Sequence, residues 1–201
     1  PEVKNAVGQE LAWAVLGAIE DATKDDNVWL ICLTGSGDSY AHVSNVSSIA
    51  AMFALGLNVG KVEEVALAGL LHDIGLADIP AENLTKNEED RTEEERLVYQ
   101  KHPLIALQII KKRQIELSTM VLKIIEQHHE RWNGRGYPME LKGAAIYPES
   151  QLIAIADELE YSTQVRPGKT RTPLKTALEK ILSSPGYDPK LLEQLRVLFK
   201  I

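Results

Sequence analysis

One cysteine in 201 residues, Cys32, leaves no room for an internal disulfide and fits a reducing compartment. Its neighbours Trp29, Leu30, Ile31 and Leu33 are apolar, so plain burial accounts for it. Positive charge is scarce: 22 Lys and Arg against 29 Asp and Glu leave a net charge of -7. Such a chain lacks the basic face of a DNA binder. An anionic ligand would have to be met by a few local cations or by bound metals. No apolar run reaches the length of a membrane span and no signal peptide is visible, so a cytoplasmic protein outside the membrane is expected. Period-two alternation never persists, and there is no internal repeat or low-complexity segment. The chain begins at Pro1 without a methionine, which reads as a fragment or processed product and leaves open whether a sensory or receiver domain stands upstream.

What is present is helical periodicity. Apolar residues recur at helical spacing over 5–23, 40–57, 60–71, 92–113, 117–127, 149–161, 173–183 and 188–199. The run 28–33 fits strand or helix, and TGSGDS (34–39) reads as a turn. Residues 77–91 read as a solvated loop and 130–143, dense in Gly, Pro and Asn, as an ordered or lid-like one. A kink is expected at Pro103, inside the long helix that carries His102. The length supports a real core. The expectation is an all-α domain over 36–201, preceded by a helical linker or packing segment over 1–35.

The five histidines, His42, His72, His102, His128 and His129, all lie in or beside these apolar helices, mostly about thirty residues apart. His72 and Asp73 end an apolar run in LLHDIGLADI (70–79) that breaks at Gly75. Burying such a pair without partners is costly. Taken alone it would read as a helix-end histidine with a capping aspartate. Five histidines placed this way read instead as one contribution per helix to a shared centre, since imidazoles and carboxylates are the usual ligands of catalytic transition metals. Successive helical residues point about 100° apart, so His72 and Asp73 converge poorly on one atom. The two oxygens of Asp73 can nevertheless bridge two metals. His72, His42 and Asp157 would serve one, and His102, His128 and His129 the other. Seven ligands are too many for one metal that keeps an open position. They suit a pair about 3.5–4 Å apart that holds a bridging hydroxide and clamps an in-line phosphoryl displacement. With no thiolate in the set, iron, manganese and zinc all remain open.

HDIG (72–75), His102-Pro103, HHERWNGRGYP (128–138) and ADELE (156–160) resemble the HD-GYP family. The flanks YAHVSNV (40–46), LKG (141–143), RP (166–167) and GYDP (186–189) extend the resemblance from about residue 38 to 199. It implies an HD-domain-like helical bundle with a GYP loop and C-terminal helices. It also implies hydrolysis of cyclic di-GMP to pGpG or GMP by a metal-activated hydroxide. Two or three divalent metals would take part, iron or manganese first, zinc or nickel as alternatives. The family ligands fall on His42, His72, Asp73, His102, His128, His129 and Asp157, with Asp38 at the position of a third-metal glutamate. As a turn or cap residue Asp38 would need no such role. Tyr137, Arg135, Trp132, Arg166 and Lys169 are the candidate substrate contacts; Arg131 is as readily structural. Tyr137 could equally be packed in a rigid turn. The GYP loop would shape the site edge or dock a protein partner, and a homodimer is compatible. Three departures thin the phosphate contacts: Leu76 replaces the family lysine, Gly168-Lys169 follow Arg166-Pro167, and Val43-Ser44-Asn45 lack the usual arginine. The alternative is a weakened relative that binds the dinucleotide and signals by contact.

Overall fold

The structure, a computed structural model, describes residues 38–164 and 170–200, with side chains from residue 41 onward. The expected helix over 5–23, the run with Cys32, most of the following turn and the segment 1–35 lie outside the described residues. So do Arg166, Lys169 and the side chain of Asp38.

Helix α1 (Asp38–Leu57) and helix α2 (Val62–Leu71) face each other across a tight turn in which Asn58 and Gly60 take left-handed φ values of 53° and 66°. The Ser47 hydroxyl donates to the Ala66 carbonyl at 2.8 Å, tying the pair together. After α2 come a 3-10 turn (Ile74–Asp78), the short helix α3 (Ala81–Leu84), α4 (Glu93–Tyr99) and α5 (His102–Lys112). Helix α6 (Thr119–Gln127) begins where the Ser118 hydroxyl accepts from Val121 N–H at 3.2 Å, the usual N-cap device. Helix α7 (Pro148–Thr163) is the axis of the bundle: residues 149–156 are all buried, as a helix surrounded by others must be. Helices α8 (Leu174–Leu182) and α9 (Pro189–Phe199) close one side, with Phe199 edge-on to Phe53 at 5.9 Å. The core joins Val46, Phe53, Val65, Leu71, Ile124 and Ile153 among others.

Among the described residues there is no strand, only an isolated bridge between Asn133 and Lys142, and no helix is long and apolar enough to cross a membrane. Two expectations are corrected. The segment 77–91 is not all loop, because it contains α3 and a 3-10 turn at Glu88–Asp90. The long helix over 92–113 is two helices, broken at Gln100 and Lys101, so His102 opens α5 rather than sitting mid-helix. The cause is Pro103, which has no N–H to give the Tyr99 carbonyl four residues back. That carbonyl accepts from His102 Nδ1 instead, at 2.9 Å.

Candidate metal centre

Three histidines are oriented by one local device. His72 Nδ1 faces the Gly69 carbonyl at 2.8 Å, His102 Nδ1 the Tyr99 carbonyl at 2.9 Å, and His128 Nδ1 the Ile125 carbonyl at 2.7 Å. A carbonyl only accepts, so each Nδ1 carries the proton and each Nε2 presents a lone pair. Every one of these bonds spans three residues, back into the last turn of the preceding helix. A histidine placed just past a helix end therefore has its tautomer set by that helix's unpaired carbonyls.

The Nε2 atoms converge on Asp73. His72 Nε2 lies 3.5 Å from Oδ2, while His102 and His128 Nε2 lie 3.4 and 3.9 Å from Oδ1. His42 Nε2 is 3.7 Å from Asp73 Oδ2 and 3.4 Å from Asp157 Oδ1. Its Nδ1 donates to Glu160 Oε2 on α7 at 2.6 Å, which fixes that ring from the side away from Asp73. His129 completes the set, its ring 4.1 Å from that of His128 and 4.9 Å from that of His102. Among the described residues two groups able to hold a metal result: Asp73, His102, His128 and His129, and His42, His72 and Asp73. Asp73 belongs to both. Its convergence with His72 differs from ideal helical geometry because the helix has already ended, with Asp73 at φ -96° and ψ 6°.

The donor set fits cations. Buried His72 Nε2 has no hydrogen-bond partner, a costly state for a polar atom. His102 and His128 Nε2 stand 3.2 Å apart, two lone pairs with no proton between them in the tautomers just derived. Burial foremost, then neighbouring imidazoles, holds His128 and His129 well below the ordinary imidazole range. Burial also lowers His102. Burial lowers His42 as well, but the Glu160 hydrogen bond and the charges of Asp73, Asp157 and Glu160 outweigh it, and its net shift is upward. For Asp73, burial alone would raise the carboxyl, yet His72, His102, His42 and His128 carry it far below the usual range. Burial raises Asp157. A metal would favour the charged carboxylates and neutral imidazoles alike.

The loop after α6 forms one wall. Buried Glu130 accepts from the N–H groups of Met139 and Leu141 at 2.7 and 2.8 Å, so it cinches the loop from inside. Gly136 passes so close to the backbone of 129–131 that a Cβ there would collide with it. Tyr137 stacks on His129 at 4.5 Å and 26°. Tyr137 is therefore packed and also lines the site. Among the described residues no hydrogen bond or ring contact joins Trp132 or Arg135 to the histidines; Arg135 is exposed and Trp132 N–H donates to Gly186 at 2.8 Å. Arg131 is structural, donating to the carbonyls of His128 and Glu130. Glu160 and Glu130 escaped the sequence reading. Their only signals were the last glutamate of ADELE and the one after the paired histidines.

A family model described as HD domain matches residues 21–191. A cyclic di-GMP phosphodiesterase response regulator of Xanthomonas campestris is 32% identical over 163 residues, 79% of this chain and 43% of the relative. A 3'3'-cGAMP-specific phosphodiesterase of Vibrio cholerae is 37% identical over 131 residues, 64% of this chain and 30% of the relative. A solved HDG"Y"P protein from Bdellovibrio bacteriovorus superposes with a TM-score of 0.64 at 19% identity, covering 98% of this chain and 62% of that one. It attests the fold. The chain belongs to the HD domain family, and within it to the HD-GYP members whose 128–138 segment it carries. It spans less than half the length of these curated relatives.

Proposed function

We propose that the chain hydrolyses a phosphodiester bond of a cyclic dinucleotide, cyclic di-GMP first, to pGpG or GMP. The observation that carries this reading is Asp73, shared by two histidine groups, with the Nε2 atoms of His42, His72, His102 and His128 3.4–3.9 Å from its carboxylate. The names of the relatives, cyclic di-GMP and 3'3'-cGAMP phosphodiesterases, support the substrate class. Two divalent ions, iron or manganese before zinc or nickel, would be held by His42, His72, Asp73 and Asp157 and by Asp73, His102, His128 and His129, with Asp38 available to a third. Bound there, they supply Lewis acidity toward phosphate oxygens and an activated water. The chain's own residues do the positioning. Helix-end carbonyls and Glu160 hold the imidazole protons away from the centre, Asp73 keeps its negative charge there, and Tyr137 stiffens the wall beside His129. Such outer partners tune ligand orientation and basicity. Arg166 and Lys169 are proposed on the substrate side, the GYP loop as a docking edge for a protein partner, with a homodimer and a cytoplasmic setting compatible.

Purified protein reconstituted anaerobically with Fe(II) or Mn(II) should consume cyclic di-GMP. His128→Ala should abolish turnover while its helical circular dichroism persists. Leu76, where the resemblance implies a phosphate-facing lysine, favours the second reading, a dinucleotide-binding signalling module. Binding without turnover under both metals would establish that one instead.

A further inference from the structure

With leucine at 76, a cyclic dinucleotide carrying two negative phosphates needs a cation from elsewhere. Arg131 is engaged, its Nη1 on two carbonyls and its guanidinium 5.4 Å from the Tyr187 ring. Arg91 is held differently. Its Nε donates to the Asn83 carbonyl at 3.2 Å and to Asn83 Oδ1 at 2.9 Å. Buried Asn83 is itself fixed by donating to the Glu95 carbonyl at 2.7 Å. The guanidinium lies 4.0 Å over the Tyr99 ring, and that ring lies 5.2 Å from the ring of His102.

One nitrogen therefore anchors Arg91, and an aromatic face fixes the plane of its fork. Glu88, Glu89 and Asp90 immediately precede it, yet none forms an ion pair with it, and its two terminal amino groups have no partner among the described residues. An arginine held this way keeps the paired donors that match phosphate oxygens. It stands one aromatic ring beyond the histidines, the place of a neighbouring phosphate rather than of one held at Asp73.

We propose that Arg91 is a specificity-determining residue: its guanidinium binds the second phosphate of a cyclic dinucleotide whose first phosphate sits at the Asp73 centre. This rests on the proposed hydrolysis and concerns the phosphate that is not cleaved, a different one from the phosphate a lysine at position 76 would face. The competing role is structural, Arg91 merely propping Tyr99 behind His102.

The test compares metal-loaded wild type, Arg91→Gln and Arg91→Lys on cyclic di-GMP and on bis(p-nitrophenyl) phosphate, a diester with a single phosphate. Arg91→Gln should lower kcat/KM for cyclic di-GMP by roughly ten- to a hundredfold, the worth of a charge-assisted hydrogen bond. Turnover of the simple diester and metal content should stay at wild-type levels, and Arg91→Lys should recover part of the loss. Equal losses on both substrates, lost metal, or unchanged cyclic di-GMP kinetics would overturn the assignment. If the wild type cleaves only the simple diester, the functional reading falls. Arg91 is then judged on cyclic di-GMP binding: weaker binding by Arg91→Gln supports it, equal or absent binding overturns it.

Discussion

At the scale of single side chains, tautomer decides what the centre can do. His72, His102 and His128 each give up Nδ1 to a carbonyl three residues back, so the whole coordinating capacity of each ring lies at Nε2. Position 76 is where this chain departs most from what the HD-GYP resemblance implies. Leu76 is partly exposed on the 3-10 turn and lies outside the core cluster, so a lysine there need not be buried. Leu76→Lys should raise cyclic di-GMP turnover by roughly five- to 150-fold, from about 1–3 kcal/mol of added charge stabilisation. A folded variant with unchanged kcat would show that another cation already serves the phosphate. The histidines that the structure brings together around Asp73 stood out in the sequence because histidines are few and lie in or beside apolar helical runs. Glu160 did not, because its partner His42 is 118 positions away and no periodicity links them. Arg91 was hidden in a charge run that reads as solvated, and only the fold sets its guanidinium on Tyr99.

At the scale of elements, the join between the 3-10 turn and α5 controls the second histidine group. Gly75 packs directly on the start of α5: a Cβ there would meet the His102 carbonyl and lie 2.7 Å from Ala106 N. Neither neighbour is a flexible side chain, so α5 itself would have to move. Gly75→Ala should therefore cost about 1–3 kcal/mol of stability and weaken metal binding, both readable by denaturant titration and elemental analysis. Wild-type stability and full metal content would contradict this packing role. Most helices were legible from their 3.6-residue periodicity. The break at Gln100 and Lys101 was placed too late, because a proline was taken to kink a helix at its own position. Its missing N–H acts one turn earlier, at Tyr99, where the freed carbonyl takes the histidine proton.

At the scale of the molecule, four helices and the loop behind α6 deliver one centre, and its protonation couples to folding. In the unfolded chain His102, His128 and His129 titrate near pH 6.5; folded, burial holds all three lower. The unfolded state then binds more protons, so stability falls as pH drops through about 6.5. Depressed Asp73 adds to the loss further into acid, once the unfolded carboxylate takes up its proton. His42 and Asp157 are raised, so their contributions are complete at low pH and fade as pH rises through their folded values, a partial offset. The metal-free protein should melt at lower temperature at about pH 5.5 than at about pH 7.5, and a flat or opposite trend would contradict this balance. Metal binding competes with protons for the same Nε2 atoms, so it should weaken as acid protonates the folded rings themselves. In the proposed function Asp73 joins two metal sites into one centre. Elemental analysis of anaerobically loaded Asp73→Ala tests it most directly. The wild type should carry about two metals per chain and the variant should lose both, with its helical signal retained. A variant that keeps full occupancy, or loses only one metal, would contradict the bridge.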